Sequence, residues 1–363
     1  MIVTMFPDPR EQAKAIGVYG FVASAGGSIG LLAGGVLTES INWHWIFFVN
    51  IPIGIATAVL ALRMIDRDEG IGFRQGADIP GALLITGALM LAVYTIVKPA
   101  AEDGWGSTSA IGLGALALAL LAAFIAREAT ARTPLIPLRI FRSRNVSGAN
   151  TVQALLVAGM FGMFFLGSLY LEQVLGYDPL EIGLAFLPAT IVMGVLSLRY
   201  SELLITRYGP RTVLIPGMVL VAAALVLFAQ APIDGSYLPD VLPVMLLLAF
   251  GVGVSFPALM TLAMSGATPQ DAGLASGLVN TTAQVGGALG LAVLATVSAT
   301  RTDDLLGQGE ATASALTGGY HLAFWIGAAL VLAALVVTVT VVRPAEQTAH
   351  DGVPQASGYT EAA

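Results

Sequence analysis

Ser276, Asn280 and Gln284 stand four residues apart, so they share one face of any helix that runs through 272–299. Asn150 and Gln153 share a face within 146–171, and Asn50 sits at the outer end of another apolar stretch. In an apolar setting an amide must find a polar partner. That partner is either a neighbouring helix, or a solute and water moving along a path, and the sequence leaves both uses open. Carboxylates could carry protons, but nearly all of the 23 fall between apolar stretches. Glu172 follows an aromatic run and stands either at the mouth of a path or at the edge of the apolar layer, and Glu181 flanks the same loop. Glu39 and Asp78 sit at helix boundaries, and Asp78 is placed to cap a helix opening at "DIPG". Phe161, Met163, Phe164, Phe165 and Tyr170 could form an adaptable apolar wall against a ligand, or face lipid or core.

Other chemistries are excluded by what the chain lacks. There is no cysteine, hence no disulfide, thiol nucleophile or cysteine zinc cluster. His44, His321 and His350 are too far apart in sequence to suggest a metal site. No G-x-x-x-x-G-K-[ST] loop occurs, so ATP is not the energy source within this chain, and no Ser–His–Asp or paired-acid constellation marks an intramembrane enzyme. The expectation is no cofactor, no metal and no nucleotide. A net charge of −7 also gives no basic footprint for nucleic acid.

The elements that position these residues follow from composition. The chain is 56% hydrophobic and only 11% charged, with mean hydropathy +0.83; soluble domains carry roughly 25% charged residues. A hydrocarbon core of about 30 Å needs about 20 apolar helical residues. Ten stretches qualify, near 15–38, 45–64, 79–98, 108–127, 146–171, 181–199, 211–230, 241–264, 272–299 and 320–342. Met1–Phe6 is too short for a signal peptide and reads as the last turn of a helix whose beginning is absent. Residues 343–363 are polar and small, and a disordered tail is expected there.

Charge sets the orientation, since Lys and Arg gather in cytoplasmic loops. With the N-terminus inside, fourteen of the 16 basic residues fall inside, and only Lys98 and Arg301 outside. Trp43, Trp45, Trp105 and Trp325 then all lie at or near the outer interface, and both chain ends are cytoplasmic.

A shift of 260 residues aligns Pro9, Ala15, Gly17, Ala23, Gly26, Gly27, Gly30 and Leu31 with Pro269, Ala275, Gly277, Ala283, Gly286, Gly287, Gly290 and Leu291, and Glu11 faces Asp271. Both stretches enter the membrane from the same side, as parallel repeats in transporters do. Residues 146–342 then form a complete six-helix half whose fifth helix is 272–299. The matching fifth and sixth helices of an N-terminal half lie in 1–64, and 65–145 holds an inserted helix pair with a cytoplasmic linker. Gly26, Gly30, Gly34 and Gly35 on the first helix could serve close helix packing, a hinge, or both.

On these residues the chain resembles the fourteen-helix drug:proton antiporter family of the major facilitator superfamily. "GGSIGLLAGG" is similar to the antiporter motif of that superfamily, flanked by "FPDPREQAKAIG" and "WHWIFFVNIPIG". "YLEQVLGYDPLEIGLAFLPA" and "DAGLASGLVNTTAQVGGALG" follow in the family's order. "ELLITRYGPR" resembles its cytoplasmic loop and keeps Arg207, Gly209 and Arg211, while Glu202 and Thr206 stand where the family has glycine and aspartate; Leu31 replaces the motif proline. The resemblance implies an all-α polytopic membrane protein, a major facilitator fold lacking about its first four helices. It implies a proton-coupled exporter of amphipathic small molecules in the bacterial inner membrane, working by alternating access, with substrate, protons and the lipid bilayer as its partners. The coupling carboxylate is then expected in the absent helices, and the truncated chain is expected to be inactive. The alternative is a short helical membrane protein with a structural or partner-dependent role.

Overall fold

The structure, a computed structural model, describes residues 9–64, 78–268 and 271–343. The expected stub at Met1–Phe6 and the expected tail after Arg343 lie outside the described residues. Ten helices carry the fold: α1 (Pro9–Ser40), α2 (Asn50–Met64), α3 (Ile79–Val97), α4 (Thr108–Thr130), α5 (Arg144–Leu169), α6 (Pro179–Val195), α7 (Pro210–Phe228), α8 (Leu242–Ser265), α9 (Ala272–Gly307) and α10 (Thr312–Thr340). Nine helical runs among the described residues are long and apolar enough to cross a membrane, and they coincide with nine of the ten expected segments. The remaining expected segment, 15–38, lies inside α1.

The helix starts follow local chemistry. Asp78 accepts from the Gly81 amide at 3.1 Å at the head of α3, and Ser107 accepts from the Ala110 amide at 3.2 Å at the head of α4. At α6, Asp178 and Glu181 form a reciprocal capping box: Glu181 N–H donates to Asp178 at 2.7 Å, and Asp178 N–H donates to Glu181 at 3.0 Å. Prolines stand in the first turns of α3, α6, α7 and α8, where a missing N–H costs nothing.

Two stretches are more helical than the sequence reading expects. The run 202–211, expected as a loop, is mostly helix: α6 continues through a π-turn (Leu196–Tyr200) into Ser201–Tyr208. Leu, Ile, Glu and Arg are good helix formers, and nothing breaks the run until Gly209 at φ 81°. A second π-turn, Tyr170–Val174, widens the end of α5.

Helices α5 to α10 form one bundle. α5 is central, packed against α8, α9 and α10, and α7 pairs with α8 and α10. The core joins Leu156, Met163, Leu214, Met218, Leu225, Met245, Leu248 and Val331. Phe228 closes one end, edge-on to Tyr170 at 5.4 Å and tilted against Phe324 at 4.8 Å. Leu118, Val219, Val336 and Leu332 point outward, as a lipid-facing surface requires. α1 lies along α6, α3 and α4 pack on each other, α3 also packs along α9, and α2 buries no residue. The end that carries most of the arginines is called the basic end below.

Candidate functional site

The amides do not knit the helices together. Asn150 is 6% exposed, and its Nδ2 donates to Val146 O of its own helix at 2.8 Å. Its Oδ1 is buried without a partner among the described residues. Gln153, one turn further along α5, is 3% exposed and makes no side-chain hydrogen bond among the described residues. Asn280 and Gln284 are exposed on α9, and Asn280 donates back to Ser276 O at 2.9 Å. Asn50 is likewise exposed and bonded within its own segment, to Ile46 O at 2.8 Å. Each bonded amide has found the carbonyl four residues behind it. The structure therefore brings Asn150 and Gln153 together on α5 and Asn280 and Gln284 together on α9, while Asn50 and Glu172 stand apart from both pairs.

Glu172 is exposed on the π-turn, beside Gln173, whose Oε1 accepts from the Tyr320 hydroxyl at 2.9 Å. The expected aromatic wall is divided. Met163 and Tyr170 are in the core, Phe164 stacks on Phe186 at 5.5 Å, Phe161 lies against Gly287, and Phe165 faces outward. α5 is surrounded by helices, so its successive aromatics meet different neighbours.

The two copies of the repeat differ in their packing. A Cβ on Gly286 would lie 2.7 Å from Ala154 O, one on Gly287 would lie 2.7 Å from the Phe161 ring, and one on Gly290 would collide with Ala158. Glycine at 286 and 290 is what lets α9 lie against the Ala154–Ala158 face of α5. In the first copy Gly26, Gly30 and Gly34 have no described atom within 4 Å of that position. Gly35 alone of the four is in contact: a Cβ there would stand 2.7 Å from Pro179 O, at the start of α6.

The motif at 202–211 has a clear geometry. The Arg207 guanidinium lies 5.3 Å from the ring of Tyr208, Gly209 makes the turn, and Arg211 donates to Thr338 O at 3.3 Å and Val339 O at 2.7 Å. Those carbonyls end α10, where a cation is favoured. Glu202 and Thr206 line an open groove of about 530 Å³ with Arg199, Tyr200 and Leu203.

Sequence reasoning missed three tethers. Arg139 meets Asp271 in a two-pronged ion pair (3.0 and 2.8 Å), Arg127 meets Asp78 (2.7 and 3.0 Å), and Glu128 accepts from the Ile136 amide at 2.8 Å. Burial opposes ionisation of Asp78, but the Gly81 amide and the Arg127 guanidinium outweigh it and hold the carboxyl below its ordinary value.

A six-helix bundle with a glycine seam between its first and fifth helices, preceded in sequence by a second copy of that glycine stripe, is matched by one family profile. The profile of the Major Facilitator Superfamily covers residues 1–291. The chain belongs to the major facilitator superfamily. It is a membrane transporter of that superfamily and not an enzyme. It is 36% identical to the puromycin resistance protein pur8 of Streptomyces alboniger, over 92% of this chain and 68% of that protein. It is 34% identical to the cephamycin export protein CmcT of Amycolatopsis lactamdurans, over 97% of this chain and 71% of that protein. It is 32% identical to the tetracenomycin C resistance and export protein of Streptomyces glaucescens, over 83% of this chain and 55% of that protein.

Proposed function

We propose that this protein takes part in proton-coupled export of amphipathic small molecules, antibiotics among them, across the bacterial cytoplasmic membrane, with its basic end in the cytoplasm. The observation that carries this reading is the unpaired amide chemistry of α5. On α5 the buried Asn150 Oδ1 with no partner among the described residues is costly to keep, unless a solute or water satisfies it in part of a cycle. The similarity to three proteins named for antibiotic resistance or export agrees. Asn150 and Gln153 are read as the solute-facing pair, with Asn280 and Gln284 on the neighbouring helix.

The open glycine face of α1 supports a further part of the reading. Its sister on α9 is covered by a helix that presents small residues four apart. We infer that α1 takes a helix of the same kind, and that α1 and α2 belong to an N-terminal half.

The test is export of a lipophilic fluorescent cation from loaded cells, with the protein expressed from its native locus. Expected is export that stops when a protonophore collapses the gradient. Export that survives the collapse overturns proton coupling, and no export across a panel of amphipathic antibiotics overturns the efflux reading.

A further inference from the structure

Of the pair α3–α4, α3 packs along α9, α4 packs on α3, and the pair is tied to α9 near both ends. At the basic end the tie runs through the linker that follows α4. Glu128 accepts from the Ile136 amide at 2.8 Å and so fixes the start of the linker to α4. Arg139 then grips Asp271, at the head of α9, and Asp271 also accepts from the Thr268 hydroxyl at 2.9 Å. Between these points Ile140, 6% exposed, is inserted among Val146, Ala275 and Leu278, which belong to α5 and α9. Ser147 of α5 donates to Phe141 O at 2.7 Å and closes the far side of the linker. At the opposite end Thr296 of α9 donates to Ile96 O of α3 at 3.2 Å, and Ala100, in the turn after α3, is buried. Residues 271 and 296 are roughly 37 Å apart along a helix rising 1.5 Å per residue. Arg127 and Asp78 lock α3 to α4 at the basic end. A tilt between the pair and α9 cannot keep both ties, because hydrogen bonds fail within a few tenths of an ångström beyond their normal length.

We propose that α3, α4 and the linker 131–143 are a brace on α9 that travels with the six-helix bundle as one body, with no joint between the pair and the bundle. An exposed ion pair such as Arg139–Asp271 holds weakly by itself. Seated beside the buried Ile140, it sets the direction in which the linker leaves α4, and the insertion of Ile140 holds the linker down. α1 lies along α6. The proposal concerns which parts move together, and its test needs no transport activity.

The chain has no native cysteine, so spin labels attach only where cysteines are introduced. Pulsed electron–electron distances are measured on the full chain in lipid nanodiscs between Ile125→Cys, exposed on α4, and Gly277→Cys, which has open space on α9. The expected result is one narrow distribution, the same at neutral and acidic pH and with tetraphenylphosphonium added. The same pair of labels is then read in Arg139→Gln/Ile140→Ser, where the distribution is expected to broaden at least twofold. A Phe250→Cys/Leu332→Cys pair within the bundle, expected unchanged, shows that this variant is folded. A 125–277 distance that shifts with pH or ligand overturns the proposal, and so does one that stays narrow in the double variant.

Discussion

Arg211 closes the basic end of α10 from across a turn: its Nη2 donates to Val339 O at 2.7 Å and its Nε to Thr338 O at 3.3 Å. The two residues are 128 positions apart, and the contact joins the start of α7 to the end of the last helix. Arg211→Gln keeps a donor but loses the charge and the reach. It is expected to destabilise the bundle by about 1 kcal/mol, read as a lower thermal midpoint in detergent. Arg211→Lys should recover only part of this, because a single ammonium cannot serve both carbonyls as a planar fork does.

The two glycine stripes predict opposite responses to one change. Gly286→Ala forces a Cβ into Ala154 and should cost about 1–3 kcal/mol, the range for overpacking. Gly26→Ala meets no described atom, and alanine is the better helix former by about 1 kcal/mol, so it should be neutral or stabilising in this chain. If a helix covers α1 in the membrane, Gly26→Leu should impair export while leaving the thermal midpoint of the purified chain unchanged.

Asn150→Leu removes the unpaired Oδ1. A structural amide would be missed, whereas a solute-facing one is dispensable to stability. The expected outcome is an unchanged or higher thermal midpoint together with an apparent substrate affinity weaker by about five- to tenfold, the worth of roughly one hydrogen bond. The affinity is read as the concentration dependence of export.

Asp78 supplies the pH test. Its folded-state carboxyl sits below the ordinary value, so the stability it lends is complete above the unfolded carboxylate pKa and is lost as pH falls through the folded one. Asp78→Asn should therefore lower the thermal midpoint at neutral pH, and the difference from the unaltered protein should close only in acid, below about pH 4.

The spans were legible because apolar length is a local property, and the helix start at Asp78 because a cap is written within four residues. The glycine repeat was legible too, since both copies carry the same spacing. What covers each copy was not: Ala154 and Ala158 are unremarkable small residues until α9 lies on them. The Arg139–Asp271 pair left no trace in the sequence because its partners are 132 positions apart and each is unexceptional among loop charges. The helical run Ser201–Tyr208 was misread as a loop because the motif it resembles was weighed above the helix propensity of its own residues. For the candidate amides type and face are local properties, whereas the bonds of Asn150, Asn280 and Asn50 to carbonyls four residues behind them depend on the side-chain conformation each adopts.

The π-turn at Tyr170–Val174 acts as a phase shift in α5. Such a turn holds one residue more than the α-helical ladder accommodates, so the side chains at its end, before the chain leaves the helix at Leu175, are aimed about 100° from where an unbroken helix of 3.6 residues per turn would aim them. Gln173 reaches the Tyr320 hydroxyl from within that turn. Deleting one residue there would return the helix to regular winding without touching its composition, and would turn Gln173 and Glu172 toward different neighbours. In this segment the number of residues, and not only their kinds, decides which groups meet at the end of the bundle.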